Sequence, residues 1–358
     1  MNAHPNAPQE RIPVAVLGAT GAVGQTFVRL LEGHPWFRLA EVAGSARSAG
    51  RRYADAARWI EGAMPAEAAD LTVCASEPAR VAAPIVFSAL DSAVAGEIEP
   101  AFARAGRAVL SNAKNFRMEP DVPLVIPEVN APHLALLAAQ RLRRGWTGAI
   151  VTNPNCAATV AALALAPLHE AFGVRRAFVV TMQAVSGAGY PGVASLDILG
   201  NVIPLIEGEE PKIEREMQKL LGRLAHGAVE PAPFAVSAHA NRVAVEHGHT
   251  VCISVEFAQR PGVAEALAAL RAWTGCDAVR GLPSAPPRAL RVADEPDRPQ
   301  PRRDVREGRG MTVSVGRVRE DPLLHLKFVA MGHNTVRGAA GGSLLNAELL
   351  VASGALAP

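Results

Sequence analysis

The segment Asn153-Pro154-Asn155-Cys156-Ala157-Ala158-Thr159 carries the densest chemistry in the chain. A polar loop gives way there to an apolar run, and Cys156 stands at the junction. At a helix start, free backbone N–H groups and the helix dipole stabilise a thiolate. The amide of Asn155 is placed to help bind an oxyanion. Cys156 therefore reads as a covalent nucleophile, whereas Cys74, Cys252 and Cys276 read as small buried hydrophobes. A second group, His239, Arg242, His247 and His249, precedes the apolar run at Thr250. An acid–base histidine beside a thiolate fits this cluster. His247 and His249 would share one face if extended, but no cysteine or acid stands at a ligand spacing from them, so no metal is expected. Gln183 to Pro191 reads as a strand end opening into a glycine loop, with Gly187 inside it. Such a loop lets a ligand approach the backbone closely.

These groups need a scaffold, and the N-terminal part supplies one. Ile12 to Leu17 is a β-branched, apolar run followed at once by Gly18-Ala19-Thr20-Gly21-Ala22-Val23-Gly24 and then by a helical pattern from Gln25 to Leu31. Strand, glycine turn and helix open a dinucleotide-binding unit, with a pyrophosphate resting on the helix N-terminus. Further strands are expected at Leu39–Ala43, Ile85–Ala89, Ala108–Ser111 and Leu124–Ile126. Helical stretches alternate with them, which gives a parallel sheet covered on both faces. The tip after the second strand carries Ser45, Arg47 and Ser48, groups suited to a 2′-phosphate, while Glu41 lies within the strand. The cofactor expected is NADP.

Beyond Asn153 the pattern changes. Ala157 to Phe172 reads as a buried helix, and Phe178–Val185, Thr250–Phe257 and Thr312–Val318 as longer strands. Fewer helices separate these strands, so a second α+β domain is expected. Pro283 to Arg302 reads as an irregular excursion, and Gly338 to Ser353 as a helix. The fold class is thus α/β: a Rossmann-like NADP-binding domain with a second α+β catalytic domain. The expected division is 1–153 joined by a C-terminal helix over 335–358, and 154–334 for substrate.

Composition narrows the function classes. With 36 basic and 34 acidic residues in 358, the net charge of +2 gives no sign of a nucleic-acid or membrane partner. Aromatic content of 4% argues against base-stacking platforms. The first twelve residues read as a loose polar tail, no apolar run is long enough to span a bilayer, and the unpaired cysteine spacing fits a reducing, cytoplasmic setting.

Taken together, the segments resemble aspartate-semialdehyde dehydrogenase in its archaeal and fungal branch. The resemblance runs through Gly18–Gly24, Ser111-Asn112-Ala113-Lys114-Asn115-Phe116-Arg117, Asn153–Thr159, Gln183–Gly189 and Gly208-Glu209-Glu210-Pro211-Lys212. It continues through Asn241-Arg242-Val243, Gly248-His249-Thr250, Arg298–Arg302 and His333–Gly341. It implies Cys156 as nucleophile, His249 as acid–base residue, Gln183 to orient the acyl group and Asn155 at the oxyanion. It implies Arg242 on the substrate α-carboxylate, Glu209 on its α-ammonium, Arg117 and Lys212 on phosphate, and Asn334 at the nicotinamide. Gly187 joins Gly18, Thr20, Gly21, Ala22, Val23, Gly24, Ser45, Arg47 and Ser48 on the cofactor side. The implied reaction is NADPH-dependent reduction of L-aspartyl-4-phosphate to the semialdehyde, in biosynthesis of Lys, Thr, Met and Ile, by a homodimer or homotetramer. The family pattern has Cys two residues before the Arg and often Asp before Gly-His; this chain departs from it with Ala240 and His247. The alternatives are a malonyl-CoA reductase, an N-acetyl-glutamyl-phosphate reductase-like enzyme, or a non-catalytic NADP-binding protein.

Overall fold

The structure is a computed structural model describing residues 4–356. The β-branched run forms strand β1 (Ile12–Leu17), and the glycine turn leads into helix α1 (Ala22–Leu31). The strands that follow are β2 (Phe37–Gly44), β3 (Val73–Ala75), β4 (Ile85–Ser88), β5 (Ala108–Ser111) and β6 (Ala149–Thr152). Between β4 and β6 come helices α2 (Ser92–Arg104) and α3 (Leu136–Arg144). The strands pair in parallel in the order β3-β2-β1-β4-β5-β6. The order reverses between β1 and β4, and a crevice opens at the strand C-termini at such a reversal. Gly18 sits there, since the Ala89 N–H donates to the Leu17 carbonyl at 2.9 Å and a Cβ on Gly18 would lie 2.6 Å from the Ala89 oxygen.

The second sheet comprises β7 (Val174–Gln183), β10 (Ala235–Arg242), β11 (His249–Phe257), β12 (Leu290–Val292), β13 (Val313–Glu320) and β14 (Leu326–Gly332). A short hairpin, β8 (Arg223–Ala225) and β9 (Ala228–Glu230), stands apart from it. The sheet is mixed, in the order β10-β7-β11-β14-β13-β12. Helix α4 (Cys156–Phe172) covers one face, with α5 (Glu209–Leu220) and α6 (Val263–Ala272) beside it. Residues Ala157 to Leu168 of α4 are all buried. A helix apolar on every side belongs in the middle of a core, which explains why the sequence there lacks a polar stripe.

Several expectations change. Leu124–Ile126 makes only an isolated bridge to Thr152, because Pro123 and Pro127 flank it and Pro127 starts a helical turn. β10 and β14 escape a reading based on long apolar runs. The stretch from Gly338 opens as a π-helical turn, Val336–Ala340, before helix α7 (Gly341–Ala352). The tail is not loose where it is described: Asn6 donates its amide to the Ala352 carbonyl at 2.7 Å, and His4 meets the edge of Trp36. Residues 1–3 of that tail, and 357–358, lie outside the described residues. No helix among the described residues is long and apolar enough to cross a membrane.

The π-helical turn is held by charge. Arg337 and Glu128 form a two-pronged pair at 2.7 and 2.6 Å, and each is at most 2% exposed. Gly338, next to Arg337, packs directly on Cys156: a Cβ there would lie 2.5 Å from Cys156 Cβ. Glu128→Ala leaves a buried guanidinium without its partner, which costs about 3–5 kcal/mol. Urea unfolding followed by fluorescence measures this. A loss under about 1 kcal/mol would show that solvent reaches Arg337 and that the pair does not hold the turn.

Candidate active site

Asn155 caps helix α4. Its side-chain oxygen accepts the N–H groups of Ala157 and Ala158, both at 3.0 Å, and Cys156 occupies the first helical position. The sequence reading placed Asn155 at an oxyanion, but this oxygen serves the cap, and the amide nitrogen donates to Glu209 Oε1 at 2.7 Å. The Asn155 backbone N–H donates to Glu216 Oε2 at 2.6 Å. Asn155 thereby fixes the thiol's helix and ties it to Glu209 and Glu216 on α5.

The adjacency of β10, β7 and β11 gathers the remaining groups. Arg242 ends β10 in register with Gln183 at the end of β7, and His249 begins antiparallel β11 beside them. His249 Nε2 lies 3.0 Å from Cys156 Sγ. The Ala184 N–H donates to His249 Nδ1 at 3.1 Å. A backbone N–H can only donate, so Nδ1 is unprotonated and the neutral ring carries its proton on Nε2, toward sulfur. Burial, then the Arg242 charge and His333, push His249 down to about 3, with Glu209 opposing. Cys156 retains some accessible surface. Burial and the Glu209 charge nevertheless push its thiol up to about 12, against Arg117, Arg242 and the Ala157 N–H. The resting pair is thus thiol and neutral imidazole; the helix-start argument alone pointed to a standing thiolate.

Arg242 is buried and donates Nη1 to the Ala184 carbonyl at 2.7 Å. A Cβ on Gly187 would come within 2.9 Å of that same nitrogen and 3.1 Å of His249 Cε1, so a side chain there would press on both groups. Burial raises the Glu209 carboxyl, but hydrogen bonds from Asn155 and Gln183 and the charge of Lys212 outweigh it and hold the group ionised. Gln183 donates to Glu209 at 3.1 Å, and Lys212 at 3.2 Å. Arg117 pairs with Glu216 at 3.0 Å and donates to the Asn112 carbonyl. Glu216 was missed by sequence reasoning, as was Lys219, which donates to the carbonyls of Arg117, Glu119 and Val122 and holds the Arg117 loop.

Asn334, expected at a nicotinamide, has both ends engaged. Its oxygen accepts the Gly248 N–H at 2.9 Å, and its nitrogen donates to Ser186 Oγ at 2.8 Å. It clamps the loop before β11 to the glycine loop. Ser186, whose hydroxyl lies 3.0 Å from His247 Nδ1, also went unnoticed in the sequence. His247 stands beside His333 rather than at the thiol, and His239 is exposed against Phe178.

In the glycine turn after β1, a Cβ on Gly24 would lie 2.2 Å from the Gly18 oxygen, and Gly18 has φ +68°. Thr20, Ala22 and Val23 surround Gly21, the uncapped N-terminus of α1, whose N–H groups are free to meet an anion. Tyr53 braces the turn by donating to the Ala19 carbonyl at 2.8 Å. Ser45 and Arg47 are exposed after β2, and buried Ser48 donates to the Ser45 carbonyl, shaping that loop. Glu41 accepts the N–H groups of Ala82 and Ala83 and is therefore engaged away from any ribose.

A nucleotide-type turn in one domain and a cysteine–histidine pair at hydrogen-bond distance in the other are together the features of dehydrogenases that work through a thiol. Comparison with known proteins narrows the class. Two family models match, "Semialdehyde dehydrogenase, NAD binding domain" over residues 13–137 and "Semialdehyde dehydrogenase, dimerisation domain" over 165–337. The chain is 51% identical to the aspartate-semialdehyde dehydrogenase of Archaeoglobus fulgidus, covering 95% of this chain and 98% of that one. It resembles the structure of the Candida albicans enzyme with NADP, at TM-score 0.88 and 43% identity over 96% and 99% of the two chains. The Vibrio cholerae aspartate semialdehyde dehydrogenase II complexed with ASA matches at TM-score 0.76 and 27% identity, over 96% and 99%. The chain belongs to the aspartate-semialdehyde dehydrogenase family.

The neutral histidines make the fold sensitive to acid. His249 is held down to about 3, and His133, by burial against its hydrogen bond to the Gly222 carbonyl, to about 4. Unfolded histidines bind protons below about pH 6.5, so the unfolded state takes up protons that the native state refuses. Stability is complete above that pH and falls as pH drops through it, by about 1.4 kcal/mol per pH unit for each such group. His133→Gln should shallow the slope of unfolding free energy between pH 6 and 5; an unchanged slope would mean His133 is protonated in the native state.

Proposed function

We propose that this enzyme reduces L-aspartyl-4-phosphate to L-aspartate-4-semialdehyde with NADPH, reversibly, through a thioester on Cys156. The reaction would feed biosynthesis of Lys, Thr, Met and Ile. The reading rests above all on one observation: Cys156 Sγ lies 3.0 Å from His249 Nε2 at the start of a capped helix. Family membership and the turn at Gly18–Gly24 support NADP as cofactor. Ser45 and Arg47 would hold the 2′-phosphate on the loop that Ser48 shapes, Gly187 and Asn334 would lie toward the nicotinamide, and residues 1–153 with 335–358 would act as the cofactor unit.

Arg242 would take the substrate α-carboxylate in its planar fork, and ionised Glu209 the α-ammonium. Gln183 would orient the acyl group. Substrate charge beside Arg117 and Lys212 balances those cations, and the thiol proton would pass to a phosphoryl oxygen of the bound acyl phosphate as the sulfur attacks. The Nε2–H of His249 then donates to sulfur and afterwards to the oxyanion that develops when sulfur attacks the acyl carbon. The C–O bond to phosphate breaks, the electron pair leaves with phosphate, and a thioester remains. NADPH held at the Gly18–Gly24 turn would supply a hydride to the thioester carbon. The C–S bond of the hemithioacetal breaks as its oxyanion collapses to the aldehyde, and the sulfur takes a proton from solvent to return as the thiol. In this geometry His249 acts as donor; to accept a proton on Nε2 it must first exchange the Ala184 N–H for a proton on Nδ1.

The dimerisation-domain match supports a homodimer. Exposed apolar side chains mark the surface: Leu196 at 91%, Leu199 at 68%, Leu205 at 66%, and Phe178 on β7 at 41%. Four free cysteines fit a cytoplasmic setting.

Phosphate-dependent NADP reduction tests the reading. Aspartate semialdehyde should exceed its N-acetylated form and a simple aldehyde in kcat/KM. His249→Asn should cut turnover by about 10²–10⁴ fold, and His247→Asn far less. Faster turnover of malonyl-CoA or an N-acetylated substrate would refute the substrate assignment while leaving the thioester mechanism standing.

A further inference from the structure

The Arg117 loop and helix α5 enclose a cavity of about 120 Å³, several times the ~30 Å³ share of one water. Lys114, Arg117, Lys212 and Arg215 line it, with Glu216 as the acid on its wall. Arg117 is 8% exposed, and its Nε is buried without a partner.

The charges divide into two tiers. The inner cations are already compensated: Arg117 by Glu216 at 3.0 Å, and Lys212 by Glu209 at 3.2 Å. The outer cations are not. Lys114 and Arg215 are exposed and form no ion pair among the described residues; Arg215 reaches only the Pro211 carbonyl, at 3.4 Å. The cavity's surplus positive charge therefore resides on Lys114 and Arg215. Inner residues chosen for geometry cannot alone balance a dianion while they remain paired with Glu216 and Glu209.

We infer that Lys114 and Arg215 form an outer anion position, through which a phosphate dianion, free or carried by the acyl group, reaches Arg117 and Lys212 and through which released phosphate departs. This rests on the acyl-phosphate reading above and adds residues that the sequence comparison did not assign. Arg215 lies one turn beyond Lys212 on α5, so an anion can pass from one to the other along a single helix face. Exposed cations act through long-range attraction and are screened by salt, so their effect belongs to capture rather than to the chemical step.

The experiment uses inorganic phosphate with the full-length enzyme in the oxidative direction. Lys114→Gln and Arg215→Gln should each raise the KM for phosphate by about two- to fivefold. Their kcat and their KM for aldehyde and NADP should stay near wild type. The double variant should show a flatter dependence of kcat/KM for phosphate on ionic strength. Phosphate protection of Cys156 against iodoacetamide, measured without turnover, should shift to higher concentration by the same factor. An unchanged phosphate KM and salt slope would overturn the inference, as would a loss confined to kcat. If wild-type turnover needs no phosphate, it is the acyl-phosphate reading that fails, and the protection assay alone then decides whether the outer position binds anions.

Discussion

The site depends on the cap that Asn155 provides. One side chain and one backbone N–H hold three things in register: the first turn of α4, Glu209 and Glu216. A cap of this kind is ordinarily worth about 1 kcal/mol, yet here its larger consequence is positional. Cys156 Sγ can face His249 only if α4 begins at that residue, and Glu209 and Glu216 fasten α5 to that start. Gly338 presses on the other side of Cys156, so any larger side chain there would push the thiol off its line.

Charge is managed by keeping the reacting pair neutral until substrate arrives. A buried thiolate–imidazolium pair would need its desolvation cost met in the empty site. Instead the Ala184 N–H selects the neutral ring tautomer, and burial keeps the sulfur protonated. The surrounding ions are paired with one another: Arg117 with Glu216, Lys212 with Glu209, Arg337 with Glu128. In the proposed reaction, substrate charge would displace the Arg117–Glu216 and Lys212–Glu209 pairings, which would couple activation of the thiol to occupancy.

Local chemistry was legible in the sequence. The glycine turn, the cysteine at a loop-to-helix junction and the apolar α4 each declare themselves within about ten residues. Residues that act through distant partners did not. Glu216 lies 61 positions from the N–H it accepts, and Glu128 lies 209 from Arg337. Nothing local distinguishes such an acid from a solvated one. His247 and His249 were separable only by strand register, since the start of β11 decides which ring meets the sulfur. Asn155 and Asn334 show the converse: both were noticed, but an amide's role depends on which of its ends is already engaged. β10 was missed because small and polar side chains alternate on it and its outer face is open.

The account stands on Cys156 carrying the acyl group. Rapid acid quench of the enzyme with aspartate semialdehyde and NADP, without phosphate, followed by peptide mass spectrometry, tests this directly. The account predicts a stoichiometric aspartyl adduct on the Cys156 peptide that disappears when phosphate is added before the quench. Unmodified Cys156 with reduced NADP already formed, or an adduct on Cys74, Cys252 or Cys276, would contradict it.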